Sequence, residues 1–504
     1  MNVDTIASAK ALVSIFDIIY LIIPLGLTIL YVGVLRSKIK KDDLKVRAEK
    51  IRRLTILAIT VCLFFLSQIG YAITKTKWNI AAGYREQSVV ENLFLNMTCI
   101  TNGSVYDLRT RGLCLFLYSD FVNILRDLTM SHKIEPTPEE MDSLKSFITN
   151  VPQFPIIEEF SANGNKNVVI IIVESLNAGV INKTVNGHEV SPFLNFLVKS
   201  EGSVSALDIL PQVKDGCSND GQLLTNTGLL PLSQGVVSMT LGTDIDYPGL
   251  PKILKPKSSV AIFGDSGLSW NQTQAFQSYG FDEIYTVLDF EEDADDKGAD
   301  AAMFDFSEGV LDRIEQPFLL EYVTFSMHAP FTHKSIPTKE WLASSNLETN
   351  EINYLNSVNY TDSQICKFFD NLNRRGLMQS TVVFIVSDHS QTLGLDKSVL
   401  KHIKEDSLDL MPMAFIAVNT GVTKKIDSPA GQINVFPTIL HVLGKGNGEY
   451  RGLDRSLLDP ALSSSVSAQG KSRGEGSDAE ICRQKRAWQV SDSLLRSNFF
   501  KTNL

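Results

Sequence analysis

Two short, unbroken runs of β-branched residues constrain this chain more than any other feature in it. The first is Val168-Val169-Ile170-Ile171-Ile172-Val173, which stops at Glu174. The second is Thr381-Val382-Val383-Phe384-Ile385-Val386-Ser387, which stops at Asp388-His389. A strand with one wet face alternates apolar and polar residues. A run without a polar interior position is what a strand covered on both faces needs, and this places both runs inside a parallel α/β sheet. Such sheets hold their ligands just beyond the carboxyl ends of the strands. Both runs therefore deliver metal-capable side chains to one crevice.

Around these runs, strand and helix patterns alternate. Strands are expected at Val260 to Phe263, Phe318 to Ser326 and Met413 to Val418. Helices are expected from Pro192 to Val198, Tyr354 to Leu372 and Gln432 to Leu443. That order predicts a doubly wound α/β domain with helices on both faces. The turn cluster Ser161-Ala162-Asn163-Gly164-Asn165 opens this body. Ser463 to Ser477, rich in serine and glycine, reads as mobile, and Ala487 to Phe499 as a closing helix. The acidic stretch Glu291 to Asp296 lacks EF-hand spacing and reads as a solvated loop.

The 504 residues allow two or more structural units. A net charge of −10 excludes the basic footprint of a nucleic-acid binder. The charge is unevenly placed: Arg36 to Arg53 carries nine Lys/Arg against Asp42, Asp43 and Glu49, a local +6. Apolar runs flank that block. Leu12 to Leu35 and Leu54 to Ile73 each meet the length of about 20 residues that crosses a bilayer. A cleaved signal peptide would carry its positive charge before the apolar run, where Lys10 is the only cation. The positive-inside rule then puts Arg36 to Arg53 in the cytoplasm and everything after Tyr71 outside. Leu113 to Leu125 is too short to span; it reads either as a helix on the membrane surface or as a packing helix. The expected organisation is a two-helix anchor over 1–73, a juxtamembrane helical linker with prolines over 74–165, a catalytic body over 166–458, and a flexible segment with a C-terminal helix over 459–504. The six cysteines show no framework spacing and read as mostly free, with a Cys99–Cys114 bridge as the alternative.

An ordered set of motifs carries a family resemblance. Asn167 to Leu176, Asp215-Gly216-Cys217-Ser218-Asn219-Asp220 and Ser387-Asp388-His389 are joined by Phe263-Gly264-Asp265 with Ser269-Trp270-Asn271, and by Tyr279-Gly280-Phe281-Asp282. Met327-His328-Ala329-Pro330-Phe331, Asn359-Tyr360-Thr361-Asp362 and Phe436-Pro437-Thr438-Ile439-Leu440 follow. From about Asn165 to Leu458 the chain resembles the lipoteichoic acid synthase branch of the alkaline phosphatase and sulfatase superfamily. The resemblance implies that superfamily's doubly wound mixed sheet. It also implies that Glu174, Ser218, Asp388 and His389 hold one divalent ion, Mn²⁺ first, with Mg²⁺ or Zn²⁺ as alternatives. Two carboxylates and a hydroxyl suit a hard ion, and one imidazole shifts the preference toward Mn²⁺ or Zn²⁺.

Ser218 is the expected nucleophile, because a cation beside a hydroxyl lowers its pKa. The family usually has threonine there. Cys217, where the family tends to carry lysine, is the thiol alternative. A formylglycine site is excluded, since Cys217-Ser218-Asn219-Asp220 lacks the proline and arginine of a sulfatase motif. The resemblance makes His328, Asp265 and Trp270 substrate contacts; a structural histidine and a core tryptophan are the plain alternatives. Two positions depart from the family's lipoteichoic members: Phe263 replaces a histidine and Gln272 an arginine. Glutamine cannot make the bidentate phosphate clamp of an arginine.

These features together predict a membrane-anchored, metal-dependent phosphotransferase or phosphodiesterase. Its donor would be a membrane lipid with a phosphoglycerol or phosphoethanolamine headgroup. The acceptor would be an envelope glycan, a lipid or water. The alternatives are a sulfatase- or phosphatase-like hydrolase of soluble esters and a catalytically silent envelope-binding module.

Overall fold

The computed structural model describes residues 133–503, apart from 234, 243, 291–299, 330, 333–335, 391–410, 446–447, 449 and 469. The anchor spans, the basic block, Leu113 to Leu125 and Glu291 to Asp296 lie outside the described residues. Among the described residues, no helix is long and apolar enough to cross a membrane.

The two founding runs are strands β1 (Asn167–Val173) and β8 (Thr381–Ser387), and they pair in parallel through the middle of a nine-stranded sheet. Between them along the chain lie β2 (Thr184–Val185), β3 (His188–Glu189), β4 (Val204–Leu210), β5 (Ser258–Phe263), β6 (Glu283–Tyr285) and β7 (Phe318–Val323). After β8 come β9 (Met413–Val418), β10 (Lys424–Ile426), β11 (Ala430–Gly431), β12 (Ser464–Val466) and β13 (Ser472–Gly474). The sheet order is β10-β4-β9-β8-β1-β7-β5-β6, with β11 also on β4. The half from β8 to β6 is parallel, whereas β9 runs antiparallel to both β8 and β4.

Residues of β1 alternate between two cores because successive strand side chains point to opposite faces. Val168, Ile170 and Ile172 enter one core, Val169, Ile171 and Val173 the other. Eight main helices cover the sheet: α1 (Pro138–Thr149), α2 (Pro192–Leu197), α3 (Ser218–Thr227), α4 (Gln272–Tyr279), α5 (Asp300–Leu311), α6 (Thr349–Arg374), α7 (Val435–Val442) and α8 (Asp478–Arg496). The first core receives α1, α3, α4, α7 and α8 through Leu144, Leu223, Phe276, Phe436 and Leu494. The second receives α2, α5 and α6 through Leu194, Met303 and Leu355.

Three local structures differ from the sequence expectation. Pro138, read as linker punctuation, opens α1: Thr137 accepts from the Glu140 N–H, Glu140 returns a bond to the Thr137 N–H, and proline at the first helical position has no N–H to lose. The Ser/Gly-rich segment expected to be mobile forms the β12–β13 hairpin, with Ser464, Ser465 and Ser467 buried. Its small residues permit close packing: a Cβ on Gly476 would fall 2.0 Å from Ser464 Oγ. Gln484 of α8 then donates to the Ser464 carbonyl at 2.8 Å. The third is β4, which sequence reading did not mark, because Ser205 and Asp208 interrupt its apolar pattern.

Candidate functional site

Val173 of β1 lies opposite Ser387 of β8, so Glu174 and Asp388 leave the sheet side by side. Both carboxyl groups are buried. Ser175 fixes them relative to one another. Its N–H donates to Asp388 Oδ1 at 2.8 Å and its hydroxyl to Glu174 Oε1 at 2.7 Å. To do this Ser175 adopts a left-handed backbone, φ 55°, a strained choice for a non-glycine residue that concentrates at functional sites. The Glu174 N–H donates to Thr324 Oγ1 at 3.1 Å, just past β7, and the His389 N–H donates to Asp388 Oδ1 at 2.6 Å.

Ser218 arrives from across the sheet. It is the first residue of α3, after a loop whose shape is set by Asp220, which accepts from the N–H groups of Lys214 at 2.8 Å and Gly216 at 3.1 Å. Its hydroxyl donates to Glu174 Oε2 at 3.1 Å and lies 3.2 Å from His389 Nε2. Gly221 allows this approach: a Cβ there would sit 2.1 Å from the Asp388 carbonyl oxygen. Helix α3 thus rests on the backbone of Asp388, and Ser218 stands at its N-terminus, the end of a helix that favours an anion.

The tautomer of His389 follows from its partner. Nδ1 is 3.2 Å from the Ser390 carbonyl oxygen, which only accepts, so Nδ1 carries the proton and Nε2 turns inward. Nε2 lies 3.3 Å from Glu174 Oε1 and 3.6 Å from Asp388 Oδ2. Burial, reinforced by the neighbouring Glu174 charge, pushes Asp388 up to about 8. For Glu174 burial acts the same way, but the charge and hydrogen bond of His389, the charge of His328 and the Ser175 hydrogen bond together outweigh it and hold the group well below the usual carboxylate range. His389 itself is opposed by burial, yet the two carboxylates lift it well above an ordinary imidazole.

Two buried carboxyl groups here share one imidazole, and burial beside Glu174 disfavours the charged form of Asp388. Asp388 Oδ2 is buried with no hydrogen-bond partner. One ligand atom each from Glu174, Asp388 and His389 falls within 4.8 Å of the others. A divalent cation would satisfy the unpartnered oxygen and neutralise the paired acids, and the mixed oxygen and nitrogen donors suit one. The residues fit such an ion.

His328 lies in the turn after β7 and is exposed. Its Nδ1 donates to the Ala329 carbonyl at 2.8 Å and its ring stacks on Phe325 at 4.7 Å, which leaves Nε2 free of the turn. Asp265 follows β5, two strands from β1, and accepts from the Gly267 N–H at 3.3 Å. Both are close enough for their charges to influence Glu174 or one another. Trp270 is half-buried with φ 52°, so it is not a core side chain. Phe263 is fully buried against Phe276, ring centres 4.7 Å apart, and serves the core. Gln272 is buried, and with its amide turned to suit its neighbours it donates to Asp265 at 3.1 Å and accepts from Gln222 Nε2 at 3.1 Å.

Cys217 lies in the same loop with φ 40° and an exposed surface. Packing around the sulfur nonetheless pushes its thiol up, and the carboxylates of Asp220, Asp388 and Glu174 add to this. A thiol kept protonated is a weak nucleophile.

Sequence reading did not single out Ser175, Thr324 or Asp300. Asp300 opens α5, fully buried. Its Oδ1 accepts from the N–H groups of Phe325 at 2.9 Å and Ser326 at 3.1 Å, and its Oδ2 from the Thr361 hydroxyl at 2.7 Å. It thereby holds the turn that carries His328 and Thr324. Ser175 lay inside the motif Asn167 to Leu176 and Thr361 inside Asn359-Tyr360-Thr361-Asp362, whereas no motif covered Thr324 or Asp300.

The family model described as Sulfatase matches residues 166–445, more than half of the chain. The chain is 28% identical over 477 residues to a lipoteichoic acid synthase of Staphylococcus saprophyticus, covering 91% of this chain and 69% of that one. A lipoteichoic acid synthase 2 of Bacillus subtilis is 28% identical over 308 residues, 58% of this chain and 47% of that one. In fold, the chain is similar to the lipoteichoic acid synthase LtaP of Listeria monocytogenes, with a TM-score of 0.59 at 18% identity over 71% of this chain and 98% of that one. The chain therefore belongs to the sulfatase family, and its sequence is similar to lipoteichoic acid synthases.

Proposed function

We propose that this enzyme transfers the headgroup phosphoester of a membrane phospholipid through a phosphoseryl intermediate on Ser218, on the outer side of a membrane to which residues 1–73 anchor it. The observation that carries this reading is the meeting of Ser218 Oγ with Glu174 Oε2 at 3.1 Å and His389 Nε2 at 3.2 Å, beside the unpartnered oxygen of Asp388. Glu174, Asp388, His389 and Ser218 would hold one divalent ion, Mn²⁺ first. When bound, that ion supplies positive charge that lowers the serine pKa and offsets charge building on the phosphoryl oxygens.

The chain's own groups do the rest. Ser218 Oγ, its proton lost to bulk water, attacks phosphorus, and the bond from phosphorus to the diacylglycerol oxygen breaks. The N–H groups that open α3 face the phosphoryl oxygens and favour their charge. His328, whose Nδ1–H donates to the Ala329 carbonyl, presents Nε2 to the departing oxygen as its proton donor. Asp265 accepts a hydrogen bond from the far end of the headgroup, and Trp270 borders it. In the second step an acceptor hydroxyl attacks the phosphoseryl phosphorus and Ser218 Oγ leaves; when water takes that place, the outcome is hydrolysis. Similarity to lipoteichoic acid synthases supports a phosphoglycerol donor.

The test incubates the detergent-solubilised protein with Mn²⁺ and phospholipids carrying headgroup label. Label on the Ser218 peptide, absent from Ser218→Ala, is expected, and its mass names the headgroup. Full turnover by Ser218→Ala would end this reading.

A further inference from the structure

Large apolar side chains that stand exposed are few here: six among the described residues. Three of them surround one loop. Leu268, 72% exposed, lies between Asp265 and Trp270; Met239 and Leu288, each 55% exposed, flank it. The connections are direct. Met239 Sδ lies 3.5 Å from Asn271 Nδ2, and the neighbouring Ser238 hydroxyl donates to the Trp270 carbonyl. On the other side the Val287 N–H donates to the Asp265 carbonyl at 2.9 Å, and a Cβ built on Gly267 would lie 3.1 Å from Thr286 Cγ2.

The loop is held in this pose at a cost. Trp270 and Asn271 are consecutive non-glycine residues in the left-handed region, φ 52° and 53°. Such strain persists where surrounding structure enforces it. Here it leaves Leu268 facing water and Trp270 half-covered, an arrangement that core formation does not explain. Asp289, next to Leu288, is exposed and caps its own turn, its Oδ2 accepting the Thr286 N–H at 2.7 Å.

We infer that Leu268, Met239 and Leu288 form an apolar rim that seats the protein on the acyl-proximal layer of a phospholipid membrane while a donor headgroup reaches the site. Resting on the phospholipid-donor reading above, this assigns the rim a partner, a lipid surface. Two observations select that occupant over a protein. The rim is continuous with the loop bearing Asp265 and Trp270, and the chain carries two bilayer-length apolar runs, Leu12 to Leu35 and Leu54 to Ile73, before the catalytic body. A phospholipid with its headgroup at Ser218 has its glycerol esters just outside the crevice, where apolar side chains can replace lost lipid contacts.

The experiment compares full-length wild type with the triple variant Leu268→Asp, Met239→Asp, Leu288→Asp. Each is assayed on a long-chain phospholipid in vesicles and on a dihexanoyl analogue below its micelle concentration. The triple variant is expected to lose at least about tenfold in rate on vesicles and to stay within about twofold on the soluble donor. Equal losses on both donors overturn the inference. So does an unchanged vesicle rate together with an altered oligomeric state, which would make the rim a protein interface. If the triple variant misfolds, Leu268→Trp decides: its added fluorescence is quenched by brominated vesicles if the rim seats there, and a lack of quenching refutes the rim. Failure of the donor reading looks different, because wild type would then turn over neither lipid and Ser218 would gain no label.

Discussion

Gly221 and Glu321 each occupy a place that another side chain would spoil, for different reasons. Gly221 lets α3 touch the Asp388 carbonyl, with no room for a methyl group. Gly221→Ala is expected to displace the helix, costing about 1–3 kcal/mol of stability and weakening Mn²⁺ binding about tenfold. Thermal melts and calorimetric titration with Mn²⁺ check both effects, and unchanged affinity would show that Ser218 is not positioned through this contact. Glu321 lies in the middle of β7, fully buried, with Oε1 accepting from Asn226 Nδ2 at 2.7 Å and Oε2 unpartnered. Burial pushes it up to about 8. A carboxyl raised in the folded state favours folding fully below its unfolded value, near 4.5, and loses that contribution as pH rises through 8. Denaturant midpoints of wild type should fall across that window relative to Glu321→Gln, and parallel pH profiles would refute a neutral buried Glu321. Beside Ser218, Gly221 is legible in the sequence as a place where backbone approaches closely, though not against which group; Glu321 is not, because an acid in an apolar strand reads as a flaw until its neighbour is known.

Helices and strands were legible to different degrees, and the difference has a physical cause. Strands β1 and β8 announce themselves because both faces are covered, so every interior position is apolar. Helix α6 does so through its one-sided apolar stripe. The direction of β9 was hidden, since an apolar run has the same composition whichever way it enters the sheet. So was the buttress from α5 to the turn after β7. Asp300→Ala removes an acceptor from two N–H groups and a hydroxyl at once. The expected loss is about 2 kcal/mol or more of stability, with a KM rise of about tenfold as His328 loses its fixed position. Calorimetric Mn²⁺ affinity should stay within about threefold, because Asp300 bonds the His328 turn and not the three acid and imidazole ligands. Steady-state kinetics and titration together separate these outcomes, and an unchanged KM would leave Asp300 a purely structural residue.

For the described molecule as a unit, the cluster of acids is a destabilising feature that a cation would relieve. Ligand binding to the folded state alone stabilises by mass action, about 2.7 kcal/mol at a hundred times Kd. Mn²⁺ should therefore raise the melting temperature of wild type, EDTA should reverse the shift, and Glu174→Gln or His389→Ala should abolish it. No shift in wild type would mean that these residues do not form a cation site.

The sequence by itself determined which residues are apolar enough to build a sheet interior and which polar side chains stand at the strand ends. Hydrophobic patterning is local, and a strand end is marked where the pattern stops, so Glu174, Asp388 and His389 were visible before any fold. Only the tertiary structure decided their geometry. The register of Val173 against Ser387, the contact of Gly221 with the Asp388 carbonyl and the bonds from Ser175 to both acids join residues far apart along the chain. Such contacts depend on how elements dock, and docking is set by the sum of packing over the whole core, which no single stretch encodes.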